Sequence, residues 1–306
     1  MQINVTYGAS VSGAPAGFTT AVDAAVAFFE STFDANITVN ITFGWGEVGG
    51  EPLDPGALGE SLTQYVRTPF VVSEQALFNA DKSPATTDAL VRLRMLRGRT
   101  TGWSDADIFE LPYAQARILG QAPTVPGVAD GYIGLDSTAS YTFDPNNRAV
   151  AGKYDAIGVI EHEISEVLGR QAFDGQQPPG GLASHFTLLD LFRYSAPGVH
   201  TYEAGPSYFS LNGDQLLLPF NDPSNGGDAG DWSQAVSGDA SDAFAETGIA
   251  LQVSTVDLRV LELLGYHLSP NAPTPNGTPV TPLVFTQNLQ LNAGQTLNFD
   301  GPLALV

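Results

Sequence analysis

The chain has 306 residues, 43% of them hydrophobic, which is enough to bury a sizeable core and gives one large domain or two small ones as a starting expectation. Its 33 acidic against 12 basic residues leave a formal charge of -21, which repels phosphate backbones and anionic membrane surfaces and so argues against nucleic acid as a partner. With no cysteine, disulfides, thiolate metal sites and a cysteine nucleophile are all excluded, and any metal must be held by His, Asp or Glu.

No run of about 18 apolar residues marks a membrane helix, and no basic segment ahead of an apolar one marks a signal peptide, so the chain reads as a mature or trimmed form. In chain order, "QINVTY" alternates like a strand. "TTAVDAAVAFFESTF" carries Val22, Ala25, Phe28 and Phe29 at helical spacing, with Thr19 or Thr20 as the expected cap. "NITVNITFGWG" returns to period two, with Ile37, Val39, Ile41 and Phe43 on one face. Shorter helical patterns are read around "ESLTQYV", "SEQALFNA", "TTDALVRLRML" and "YAQARILG", and "GYIGLD" and "SYTFD" read as strands. After Arg170 a Pro/Gly/Gln loop, "QAFDGQQPPGGLASHF", cannot continue a helix. "STVDLRVLELLGY" restores a helix, with Ser254 or Thr255 as cap and Gly265 as stop. Beyond it, residues 268–306 read as a Pro/Thr/Asn-rich linker and a strand-like remnant.

The stretch "VIEHEISEVLGR" carries the chemistry. On a helix, Ile157, Ile160, Ile164, Val167 and Leu168 form one stripe, while His162, Glu166 and Gly169 stack one turn apart on the opposite side and Glu163 lies on the flank. Two ligands at i and i+4 point at one ion, and the Glu after the first reaches a water on that ion, which is the logic of His-Glu-x-x-His zinc helices with Glu166 in place of the second His. The alternative is an acidic surface face, but the His-Glu-x-x-Glu spacing on a well-formed helix favours a metal.

"YDAIGVIEHEISEVLGR", "LLDLFRYSAPG", "GGDAGDW" and "VDLRVLELLGY" together resemble a family of exported bacterial metalloproteases of the zincin superfamily with metzincin-like features, and the likeness reaches back to "APAGFTTAVDAAVAFFESTF" and "ITFGWGEVGG". The resemblance implies an α/β (α+β) zincin-like catalytic domain over about residues 1–267, with a mixed twisted sheet, an active-site helix and a C-terminal helix. Its N-terminal subdomain would run to about residue 170 and its C-terminal one from 171. It further implies a secreted, zinc-dependent metalloendopeptidase acting on a polypeptide substrate as a monomer, with His162 and Glu166 as ligands and Glu163 as general base.

A catalytic zinc keeps three protein ligands. The metzincin pattern would place the third His where this chain has Ala172, so the candidates are Asp174, His185 and Asp190. Asp190 in "TLLDLFRYS", matching the family's motif, is expected first and His185 second. Tyr194 follows Phe192 with the spacing of a metzincin turn tyrosine and is the candidate oxyanion group; a packed ring is the other reading. Arg193 could clamp Asp190 or Glu166, or lie at the surface. Two carboxylates beside a neutral His would cancel the charge of zinc and make bound water less acidic unless Arg193 or Tyr194 compensates. The resemblance also implies that a strand near "GYIGLDSTASYTF" lies beside the cleft and pairs with extended substrate. "NDPSNGGDAGDW" leaves structural calcium at Asp222, Asp228 or Asp231 open beside simple turn chemistry. The competing function is a catalytically inactive zincin-like domain that binds a polypeptide or cell-surface partner.

Overall fold

The structure is a computed structural model that describes residues 1–80, 107–123, 125, 127–173, 185–201 and 205–273. The helical pattern "TTDALVRLRML", Asp174, most of the loop that follows it, and the chain from residue 274 onward lie outside the described residues.

The architecture is mixed α/β, with several small sheets and five α-helices among the described residues. β1 (Gln2–Tyr7), α1 (Phe18–Thr32) and β2 (Thr38–Trp45) form a β-α-β unit in which the strands are parallel, Ile3 opposite Val39 and Val5 opposite Ile41. β6 (Gly131–Leu135) adds parallel to β2, and β3 (Gly59–Thr63) closes the sheet antiparallel to β6, giving the order β1-β2-β6-β3. Period-two patterning sends Ile3, Val39, Ile41, Phe43, Ile133 and Leu135 into the core, where Phe18, Val22, Ala25 and Phe29 of α1 meet them. α1 is not capped by Thr19 or Thr20: its N-cap is Gly17, which makes no side-chain bond, and the Phe18 amide donates to the Pro15 carbonyl instead.

The helix expected around "ESLTQYV" is absent. These residues form β3 and the start of β4 (Tyr65–Pro69), which pairs antiparallel with β5 (Ile108–Pro112). The partners of both strands are distant in sequence, and this non-local pairing overrides the weak local helical pattern. α2 (Phe70–Asn79) and α3 (Tyr113–Ile118) form as read. β7 (Tyr141–Thr142) and β8 (Tyr154–Asp155) make a short parallel pair that leads into α4 (Ala156–Val167), the motif helix.

α4 lies against α1, β3 and β6. Asp155 caps it, accepting from the Ile157 amide at 3.2 Å while its other oxygen receives Arg148 and the Leu251 amide. Gly131 lets Val167 sit on the strand, and Gly158 lets Leu251 sit on the helix: a Cβ at either glycine would stand within 2.5 Å of the partner side chain. Farther along, β9 (Arg193–Ala196), β10 (Val199–His200) and β11 (Tyr208–Phe209) form a small antiparallel sheet, and α5 (Thr255–Leu263) follows a capping box of Ser254 and Asp257. No helix among the described residues is long and apolar enough to cross a membrane.

Candidate metal centre

The face of α4 opposite its apolar stripe is not open to solvent. Except for His162, which is half-buried, every residue from Ala156 to Arg170 is buried, because the segment 228–242 folds across the polar side of the helix. That segment is anchored by Trp232, fully buried among Phe209 and Phe220, whose indole N–H donates to Asp257 at 2.7 Å. The residue before it, Asp231, is thereby turned toward the helix.

Three donors converge. His162 Nε2 lies 3.8 Å from Glu166 Oε1 and 3.5 Å from Asp231 Oδ1, and one ligand atom from each of the three residues lies within 4.8 Å of the others. Four ligands at roughly 2.1 Å around zinc would stand ~3.4 Å from one another, so the observed spacings need only a small contraction. Outer partners fix each donor. His162 Nδ1 is 2.9 Å from the Ala240 carbonyl, which can only accept, so Nδ1 carries a proton and Nε2 is the atom left to face a cation. Ser61 on β3 donates to Glu166 Oε2 at 2.7 Å, and Arg170 Nη1 lies 3.4 Å from Asp231 Oδ1.

Glu163 lies beside this group, against the edge strand. Gly59 has no Cβ to obstruct it: one built there would be 2.5 Å from Glu163 Oε1 and 2.6 Å from Val159 Cγ1. Burial, reinforced by Glu166, holds the Glu163 carboxyl well above the ordinary carboxylate range. Burial and Asp231 likewise raise Glu166, against the pull of His162, and burial raises Asp231. For His162 burial favours the neutral ring, but Asp231, Glu163 and Glu166 outweigh it and push the imidazole up to about 10. Without a metal, a proton on His162 is therefore what balances the surrounding acids.

Asp190 stands elsewhere. Its Oδ2 accepts from the Thr187 amide at 2.7 Å and the Phe173 amide at 3.2 Å, which makes it the brace of a 3₁₀ turn at Leu189–Phe192. His185 Nδ1 lies 2.6 Å from Glu110 Oε1, which Arg67 also reaches. Tyr194 is the packed ring of the two readings, edge-on to His200 and closed over by Gly213. Arg193 donates to the Ala229 carbonyl (2.7 Å) and to Ser207 (2.8 Å), bonds that brace the loop that carries Asp231. In that loop, Asp222 caps a 3₁₀ turn through the Ser224 amide and Asn221 bonds Asn225, which is turn chemistry; Asp228 is exposed near the rim. Among the described residues, no metal-type donor group includes Asp222 or Asp228.

The role of Asp231 beside His162, and those of Ser61, Gly59 and Arg170, were not read from the sequence. The signal available for Asp231 was its position before a tryptophan, where a large buried ring fixes the direction of its neighbour. A buried group of His162, Glu166 and Asp231 could hold a metal ion, with a nitrogen and two oxygens as donors. Comparison with known protein families, with curated proteins and with solved structures gives no match.

Proposed function

We propose that this chain is a zinc-dependent peptidase of the zincin kind, with His162, Glu166 and Asp231 as the ligands. One observation carries the reading: an imidazole and a carboxylate of one helix and a carboxylate from a distant loop converge beside a third acid, Glu163, that is buried and is not one of the three donors. Nitrogen and oxygen donors at these spacings suit zinc, and zinc held there would supply Lewis acidity toward a peptide carbonyl and toward an attacking water. Glu163, buried beside the three donors, would take the proton of that water and pass it to the leaving amine. Among the described residues β6 is internal to the sheet and β3 is the edge strand beside α4, and an extended polypeptide would pair there.

A binding domain without chemistry is the second reading, and it too has an observation in its favour: protonated His162 between Glu166 and Asp231 is a self-sufficient ion cluster. Metal analysis of the purified protein separates the two. The peptidase reading expects one zinc per chain, retained in Glu163→Gln with hydrolysis of a casein-type substrate abolished, and both lost in His162→Ala. A protein without zinc, or a Glu163→Gln variant as active as wild type, would overturn it.

A further inference from the structure

Arg170, just past the motif helix, has a part in the centre that no ligand spacing announces. Gly169 turns the chain at φ +117°, and Arg170, the next residue, runs its side chain back beneath the loop, fully buried. There its guanidinium lies 4.6 Å over the Trp232 ring, with Nη1 3.4 Å from Asp231 Oδ1 and Nε 3.6 Å from Asp257 Oδ1. Asp257 in turn holds the Trp232 indole and caps α5. One planar cation thus ties the end of the motif helix, the loop bearing the third donor and the start of the last helix.

Two features set this apart from an ordinary buried ion pair. The Asp231 oxygen that Arg170 approaches is the same one that faces His162. In addition, Arg170 Nε and Nη2 have no hydrogen-bond acceptor among the described residues, although desolvating a guanidinium is expensive and a purely structural pair is expected to satisfy it. We propose that Arg170 is a positioning residue: it fixes the rotamer of Asp231 so that the carboxylate meets the ion that His162 and Glu166 present, and it acts through Asp231. This rests on the metal reading above.

The sign of one measurement decides it. As a mere counter-charge, a fixed cation this near the site repels a metal, so its removal would tighten binding. As a positioning group, its removal lets Asp231 rotate and weakens binding, by the roughly 10- to 100-fold that outer partners of metal ligands contribute. The experiment is chelator-competition titration of zinc into metal-stripped wild type, Arg170→Lys, Arg170→Gln, Asp231→Asn and the double variant Arg170→Gln/Asp231→Asn, with the cobalt(II) visible spectrum of each. Arg170→Lys keeps the buried positive charge while losing the planar fork, and it carries the test where Arg170→Gln is too unstable. Expected are about tenfold weaker zinc binding for Arg170→Lys and up to about 100-fold for Arg170→Gln. The Arg170→Lys cobalt spectrum should move toward that of Asp231→Asn, and the double variant should bind no more weakly than Asp231→Asn alone. Arg170 variants that bind zinc as tightly as wild type or tighter, or losses that add to that of Asp231→Asn, overturn the proposal while the metal reading stands. Wild type that binds no zinc overturns both.

Discussion

His162 shows how a single ring can carry two states of the site. Its Nδ1 is committed to the Ala240 carbonyl, so any change of protonation takes place at Nε2, the atom between Glu166 and Asp231. With the imidazole pushed up to about 10, the metal-free ring is an imidazolium at neutral pH, and a divalent ion can enter only by displacing that proton. Zinc binding should therefore release at least one proton per chain near pH 7, and the affinity should rise about tenfold per pH unit for each proton displaced. Calorimetric titration in buffers of different ionisation enthalpy reads the number directly, and zero release would show that the metal enters by another route. At this scale the sequence was legible where neighbours on one helix sufficed, as for His162, Glu163 and Glu166. Asp190 and Asp231 were not distinguishable in the same way: both are acids in loop segments, and which one reaches the helix is decided by where Trp232 is buried, a fact of tertiary packing.

Among the elements, β3 matters most to the site, and with the start of β4 it is where the expected helix proved to be strand. Its residues "GESLT" have no strong alternation, and the strand exists because β6 offers it a register from Gly59 opposite Leu135 to Thr63 opposite Gly131. Strand β3 then presents Ser61 to Glu166 and the bare backbone of Gly59 to Glu163. The close approach at Gly59 makes a specific prediction. In Gly59→Ala the new methyl would stand 2.5 Å from Glu163 Oε1 and 2.6 Å from Val159 Cγ1, so Glu163 must be displaced while His162, Glu166 and Asp231 are not directly struck. Misplacing a reacting group by about 1 Å lowers a rate by about 100-fold, and overpacking of this kind destabilises by about 1–3 kcal/mol. On the proposed function, the variant should bind zinc as wild type does and lose at least about 100-fold in hydrolysis, as zinc stoichiometry, melting temperature and peptidase rate measured on one preparation will tell. A Gly59→Ala protein of full activity would remove Glu163 from the position assigned to it. α4 and α5 were legible beforehand because each carries its own cap and stripe, Asp155 in one and Ser254 with Asp257 in the other.

Across the whole molecule, acidity and the metal centre are coupled. The chain carries a formal charge of -21, and several of its buried acids are shifted upward. Burial raises Glu161 to about 7 despite Arg148, and burial with Asp257 raises Asp239 to about 8; Glu163, Glu166 and Asp231 are raised as well, and His162 rises to about 10. A group whose pKa is higher in the folded state binds more protons there than when unfolded. Its contribution is present in full below the unfolded pKa and is lost as pH rises through the folded one. For the acids that window opens near pH 4 and for His162 near pH 6.5, and it extends to about pH 10. The metal-free protein should therefore be most stable on the acid side and lose several kcal/mol between about pH 5.5 and 8.5, a fall in melting temperature on the order of 5–10 °C. Zinc bound as proposed would reverse the sense of the centre's own share, because a divalent ion would compensate Glu166 and Asp231 without a proton on His162. At about 100 times the dissociation constant it adds ~2.7 kcal/mol, a rise of about 5 °C for a chain of this size. The increment should grow with pH as the competing protons leave, so melting curves of stripped and zinc-loaded protein should diverge from pH 5.5 to 8.5. Curves that run parallel across that range would mean that the ion does not sit among these acids. The size of the effect also depends on the centre joining two stretches of chain: His162 and Glu166 come from the sheet-bearing half, Asp231 and the Ala240 carbonyl from the loop-rich half. An ion bound at that junction holds both halves at once, so removing it should loosen the loops before the sheet. Amide exchange should accordingly rise first in segment 228–242 on zinc removal, while β2 and β6 keep their protection.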